Sequence, residues 1–171
     1  MKQTELKEFL DEKVALYNHP KFIKSDPIQI PHLFSKKEDI EIAAFMTATI
    51  SWGNRKIIIQ NASKLMELLD NTPFDFVMNH QENDLKSFEN FVHRTFNSLD
   101  LQQFVKSLKH IYQKYEGLEN ALSVSPSDNN YQSAIHHFKK IFFEISHENR
   151  TQKHISDPMK NSAAKRINMF L

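Results

Sequence analysis

The stretch SKKEDIEIAAFMTATISWGNR, residues 35–55, decides the fold. Ser35 and Glu38 have the spacing of a capping box, in which two side chains satisfy backbone N–H groups of the first turn, so a helix is expected to start there. Ile40, Ile42, Ala43, Ala44, Phe45, Met46, Ala48 and Ile50 make that helix apolar around most of its circumference, as a rod buried among other helices must be. It should stop near Trp52 and Gly53. Asn54 is placed to cap a second helix, whose apolar positions Ile57, Ile58, Leu65, Leu68 and Leu69 run to Asp70. The pair reads as a helical hairpin with a polar elbow at its bend.

The same periodicity extends outward in both directions. Upstream, Leu6, Phe9, Leu10, Val14 and Tyr17 predict an amphipathic helix over 4–17, and Pro20, Pro27 and Pro31 predict an extended connection over 18–35. A connection of that length in a compact domain packs over the surface or binds something. Downstream, Thr72-Pro73 opens a short helix, and Leu85, Phe88, Phe91 and Val92 suit another over 84–96. Ser98 opens a longer one, with Leu101, Phe104, Val105, Leu108, Ile111, Tyr112 and Tyr115 in one stripe and Gly117 as its left-handed stop. A short turn of helix at 118–122 and a loop of capping residues at 125–130 follow. Tyr131, Ala134, Ile135, Phe138, Ile141, Phe142 and Ile145 then repeat at three and four, the clearest helical pattern in the chain. Residues 147–160 are polar and end in the turn signal Asp157-Pro158, before a last helix carrying Ala163, Ala164, Ile167, Phe170 and Leu171.

These elements imply an all-α, compact multi-helix bundle forming a single helical domain over 1–171, with its core in 36–171. Only two glycines, Gly53 and Gly117, occur in the chain, which argues against a doubly wound nucleotide fold and a glycine-rich phosphate loop. The absence of cysteine excludes disulfides, thiolate metal sites and a thiol nucleophile. Lys2, Glu5, Lys7 and Glu8 break any signal-peptide pattern, and no apolar run approaches the roughly 20 residues of a spanning helix, so a cytoplasmic location and no membrane partner are expected. Net charge is +1, but residues 150–171 hold five basic side chains against one acidic, a bias that favours a polyanion when it is not simply a solvated face.

Candidate chemistry concentrates at three places. Ser51, Trp52, Gly53, Asn54 and Arg55 put an aromatic ring, an amide and a cation at the elbow. Exposed, they would suit nucleic acid, with Arg55 and the new helix's N–H groups on phosphate and Trp52 wedged against bases. The alternative is an indole buried against neighbouring helices with Gly53 as an ordinary stop. His93 and Arg94, beside Thr95, Phe96 and Asn97, gather donors where two helices meet, and serve equally well to buttress a loop. Lys160, Lys165 and Arg166 sit near the start of the last helix, where a lysine beside other cations can act as an amine nucleophile; solvated lysines are the bland reading. The nine histidines show no metal-ligand spacing, and neither metal nor cofactor is expected.

The strings Ala48-Thr49-Ile50-Ser51-Trp52-Gly53-Asn54-Arg55, His93-Arg94-Thr95-Phe96-Asn97 with Asp100, and Asp157-Pro158 through Lys160 to Ala163-Ala164-Lys165-Arg166 resemble an uncharacterised bacterial family, domain of unknown function 2400. More distantly, the chain is similar to the helix-hairpin-helix DNA glycosylases, particularly the archaeal type that excises oxidised guanine. There a buried helix ends in a polar elbow that enters DNA, and a later lysine attacks the sugar, with an aspartate some 30 residues beyond it. That resemblance implies an elbow at Ser51 to Arg55, an attacking amine on Lys165 with Lys160 as second choice, and double-stranded DNA as partner. The chain ends six residues after Lys165, before any such aspartate, which suggests a fragment of a longer protein. The competing expectation is a non-catalytic helical interaction module that binds a protein or single-stranded nucleic acid.

Overall fold

The computed structural model describes residues 2–124 and 130–171. Its first helix, α1 (Gln3–Tyr17), forms where the apolar period places it, yet buries no side chain: Phe9 and Val14 are 48% and 59% exposed. The connection at 18–35 is not extended as the prolines suggest. It winds into single turns, α2 (Pro20–Ile23) and 3-10 turns at Pro27–Gln29 and Pro31–Leu33. Each proline opens a turn, where its missing N–H has no partner to lose and its fixed φ is already helical. His19 and Asp26 cap two of these turns by accepting from the N–H groups of Lys21 and Ile28.

The hairpin of helices is present as α3 (Lys37–Ile50) and α4 (Arg55–Leu68). Ser35 does not cap α3; Lys36 holds that position without a side-chain bond, and Glu38 and Asp39 in the first turn complement the helix dipole instead. Asp39 also accepts from the N–H of Phe74 at 2.8 Å, fixing α3 to α5 (Pro73–Asn79). Phe45 is fully buried at the centre of the core, its ring 5.6–5.8 Å from those of Phe104, Phe138, Phe142 and Phe170.

The helix expected over 84–96 is absent. A 3-10 turn at Asp84–Phe88 leads into a minimal antiparallel hairpin, β1 (Val92–His93) and β2 (Phe96–Asn97), with Val92 opposite Asn97 and His93 opposite Phe96. Phe91 and His93 are buried while Val92 between them is exposed, a period of two that only extended backbone provides. Arg94 turns the corner with φ 56°.

Beyond it lies α6 (Ser98–Tyr115), capped by a reciprocal box in which Asn97 accepts from the N–H of Asp100 and Asp100 accepts from that of Asn97. The left-handed stop falls on Glu116 (φ 60°), one residue before Gly117. Next come α7 (Leu118–Ala121) and α8 (Gln132–Phe142); residues 125–129 of the loop between them lie outside the described residues. The polar stretch after α8 folds into 3-10 turns at Asn149–His154 and Pro158–Lys160, with Thr151, His154 and Ile155 buried. Lys139 of α8 holds it by donating to the carbonyls of Gln152 (3.0 Å) and Ile155 (2.6 Å). The last helix, α9 (Lys165–Phe170), packs on α3, which also contacts α4 and α5. The fold is all-α, with the hairpin as its only strands among the described residues. Among them, too, no helix is long and apolar enough to cross a membrane.

Candidate nucleic-acid interface

α3 ends where Ser51 turns its hydroxyl back to donate to the carbonyl of Thr47 (2.7 Å), and Gly53 takes φ 113° to reverse the chain. Asn54 then caps α4, accepting from the N–H groups of Lys56 (3.0 Å) and Ile57 (3.3 Å). The hairpin tip closes over this elbow. His93 approaches the Trp52 carbonyl with Nε2 (3.4 Å) and Asn61 with Nδ1 (3.0 Å), and a Cβ on Gly53 would lie 3.0 Å from Nη1 of Arg94. Burial lowers the proton affinity of His93, so it is neutral at pH 7 and donates to the carbonyl from Nε2 while Nδ1 accepts from the Asn61 amide. Gly53→Ala should therefore lower the unfolding free energy by about 1–2 kcal/mol, since an L residue is strained at that φ and its methyl displaces Arg94. Thermal denaturation checks this, and a change under about 0.5 kcal/mol, the range of ordinary surface substitutions, would contradict it.

Trp52 is half-buried rather than projecting freely. The Arg166 guanidinium lies 4.7 Å from its ring centroid, the His93 ring stands nearly perpendicular with centroids 5.2 Å apart, and His154 is stacked at 6.3 Å. Arg166 is itself fixed, donating from Nη1 to the carbonyl of Thr49 at 2.9 Å. Burial lowers its proton affinity, yet an arginine remains cationic at any physiological pH.

Beneath His154 lies a network that sequence reasoning missed. Asp100 is fully buried, accepts from the Thr151 hydroxyl at 2.8 Å, and pairs with Arg150 at 3.0 Å. His154 Nε2 comes within 3.2 Å of Asp100 but off the line of a hydrogen bond, so that contact is electrostatic only. Burial among Phe96, Phe104 and Trp52 pushes the imidazole down to about 4, overriding the carboxylate's opposite pull.

Together these elements frame a cleft of about 570 Å³ lined by Ser51, Trp52, Thr95, Lys153, His154, Lys165, Arg166 and Met169. Of the residues singled out from the sequence, Ser51, Trp52, Lys165 and Arg166 share it, and His93, Gly53 and Arg94 buttress its elbow side. Arg55 does not reach it: the guanidinium lies 5.7 Å from the Phe22 ring centroid and 3.8 Å from Asp26. Asn54 is engaged as a cap, and Lys160 stands on the turn packed against α8. Lys153 shows in the sequence only as part of the basic bias of 150–171, and His154 not at all, because their 3-10 segment has no apolar period to read.

The match to known families falls on this same framework. Residues 26–171 match the family described as protein of unknown function DUF2400. The chain belongs to that family. The matched span covers α3 through α9, and with them every residue of the cleft, while α1 and α2 precede it. No curated protein and no solved structure matches the chain.

Proposed function

We propose that this DUF2400 member binds DNA through the elbow cleft, with Lys165 as the amine of a base-excision glycosylase/lyase. The observation that carries the reading is the convergence of Lys153, Lys165 and Arg166 on one cleft around Trp52, with no carboxylate among its lining residues. Three cations with no ion-pair partner among the described residues favour a polyanion, and the fixed guanidinium–indole pair offers a rigid surface beside them. Lys165 is exposed at the rim, at the first position of α9, where its amine is free to meet a sugar. In the lyase step that amine adds to C1′ of the opened abasic sugar and water leaves, giving an imine that borohydride reduces to a stable amine.

Fluorescence anisotropy of a labelled duplex from 50 to 200 mM salt tests the grip. Three phosphate contacts give a slope of about −2.7 in log K against log salt, and Lys153→Gln or Lys165→Gln should each reduce it by about 1. Salt-independent binding, or none, would reject the reading. Borohydride trapping on an abasic duplex tests the chemistry: the adduct should vanish in Lys165→Ala and persist in Lys160→Ala. An adduct that survives Lys165→Ala removes the assignment. Binding without any adduct selects a non-catalytic grip, the second reading, which the lack of a carboxylate in the cleft to take up the amine's proton favours.

A further inference from the structure

α1 is 15 residues long and buries no side chain. A helix of that length is marginal in water by itself, and what holds such helices in proteins is the packing of an apolar face. That face is present: Leu6, Phe9, Leu10, Val14, Leu16 and Tyr17 fall on one side of the helix and are each 40–59% exposed. An open cavity of about 370 Å³ continues it past the end of α1, where Leu16 and Tyr17 meet Phe22 of α2. Six half-exposed side chains of this kind leave on the order of 500 Å² of apolar surface, the size at which an exposed patch marks an interaction site.

The charges around the stripe decide what covers it. Residues 2–13 carry Lys2, Lys7 and Lys13 against Glu5, Glu8, Asp11 and Glu12, an acidic balance that disfavours nucleic acid and anionic lipid alike. Lys13 lies inside the stripe, its ammonium 5.0 Å from the centroid of the Phe9 ring and 2.7 Å from Glu12. Glu5 stands at the stripe's edge, on the same side as Glu12. An antiparallel two-fold pairing of α1 with another α1, in full overlap, sets Leu10 opposite Leu10 and Leu6 opposite Val14. It brings Glu5 of each copy within a turn of Lys13 of the other. A parallel pairing would set Lys13 against Lys13 in the seam. The stripe is therefore complementary, in apolar pattern and in charge, to its own antiparallel image.

We propose that α1 is a dimerisation helix, pairing antiparallel with α1 of a second copy of this chain. Two such faces close about 1,000 Å² in total, the lower limit of a specific interface, so the dimer is reversible with a dissociation constant on the order of 10 μM. The residues lining the elbow cleft all lie beyond α1, so the pairing leaves the cleft open and does not depend on what binds there.

Sedimentation equilibrium of the full chain from about 1 to about 100 μM tests the pairing. The average mass should climb from the 20.1 kDa of one chain towards twice that value. Leu10→Glu combined with Val14→Glu should hold it at one chain throughout, a loss of at least about a hundredfold in affinity. Neither side chain is buried, so the thermal midpoint of that variant at about 1 μM should match the parent's, which separates lost pairing from lost folding. The chain has no cysteine, so introduced thiols report the orientation. Under mild oxidation a mixture of Leu6→Cys and Val14→Cys should give the disulfide-linked heterodimer, and either variant alone far less. A chain that stays monomeric at about 100 μM, or a dimer indifferent to Leu10→Glu with Val14→Glu, would overturn the proposal. So would Leu6→Cys crosslinking to itself in preference to Val14→Cys. A monomer that instead binds phosphatidylglycerol vesicles, and loses that binding in the double variant, would give the face to a membrane and overturn it as well.

Discussion

Replacing Asp100 with alanine is expected to lower the unfolding free energy by about 3 kcal/mol, seen as a fall in the urea midpoint at unchanged slope. The magnitude comes from what the carboxylate holds. One oxygen accepts from the buried Thr151 hydroxyl, which would be left with no partner. The other accepts from the N–H of Asn97, completing the cap of α6, and loss of a cap removes about 1 kcal/mol. Arg150 adds less than a fully buried partner would, because its side chain is 36% exposed and regains water when the pair is broken. Since Asp100 anchors Arg150 and Thr151 in one turn, and Lys153 lies in that turn, the proposed binding of a duplex should weaken along with stability. A loss below about 1 kcal/mol would show that the network is not what fixes the 149–154 turn to α6.

That network marks the boundary of what the sequence discloses. The hydrophobic period of 40–50 and 101–115 places α3 and α6 within a residue or two, because both are buried along most of their length and packing repeats at helical spacing. The same rule fails at 84–96, where Leu85, Phe88, Phe91 and Val92 satisfy a helical template by spacing while burial alternates over 91–93; at α1 it places the helix, whose apolar face nevertheless stays exposed. In the candidate site, Trp52, Lys165 and Arg166 stand out by residue type, but the contact of Arg166 with Trp52 joins positions more than a hundred residues apart, and no local pattern encodes it. Arg55 illustrates the opposite error, since adjacency to the elbow in sequence places it on the far side of Gly53, against Phe22 and Asp26. Asn97 and Asp100 have the spacing of a capping box, yet that spacing says nothing of Arg150, Thr151 and His154 meeting the same carboxylate.

Acidification should destabilise the protein well before its carboxylates protonate, and His154 is the reason. The folded protein holds this imidazole down at about 4 against an ordinary 6.5, chiefly because the buried ring cannot shed the charge of its protonated form into water. Asp100 pulls the other way, and the cations of Lys153 and Arg166 add to the depression. Below pH 6.5 the unfolded chain takes up a proton at His154 that the folded chain refuses, so stability is fully present above about 6.5 and is lost as pH falls toward 4. Integrated over that window the loss is about 3 kcal/mol, a sizeable part of a small domain's stability. His93, depressed by burial as well, contributes with the same sign. The carboxylates whose proton affinity is lowered, Glu144, Asp157 and Glu119, act below about 4.5, which leaves the upper part of the window to the histidines. Urea unfolding at pH 7.5, 6.0 and 5.0 measures the slope. His154→Phe keeps an aromatic ring in the cage of Phe96, Phe104 and Trp52 but cannot titrate, so it should flatten the curve to the part owed to His93. A slope that His154→Phe leaves intact would mean that the imidazole takes up its proton equally in the folded and the unfolded chain, so that burial among Phe96, Phe104 and Trp52 does not hold it neutral.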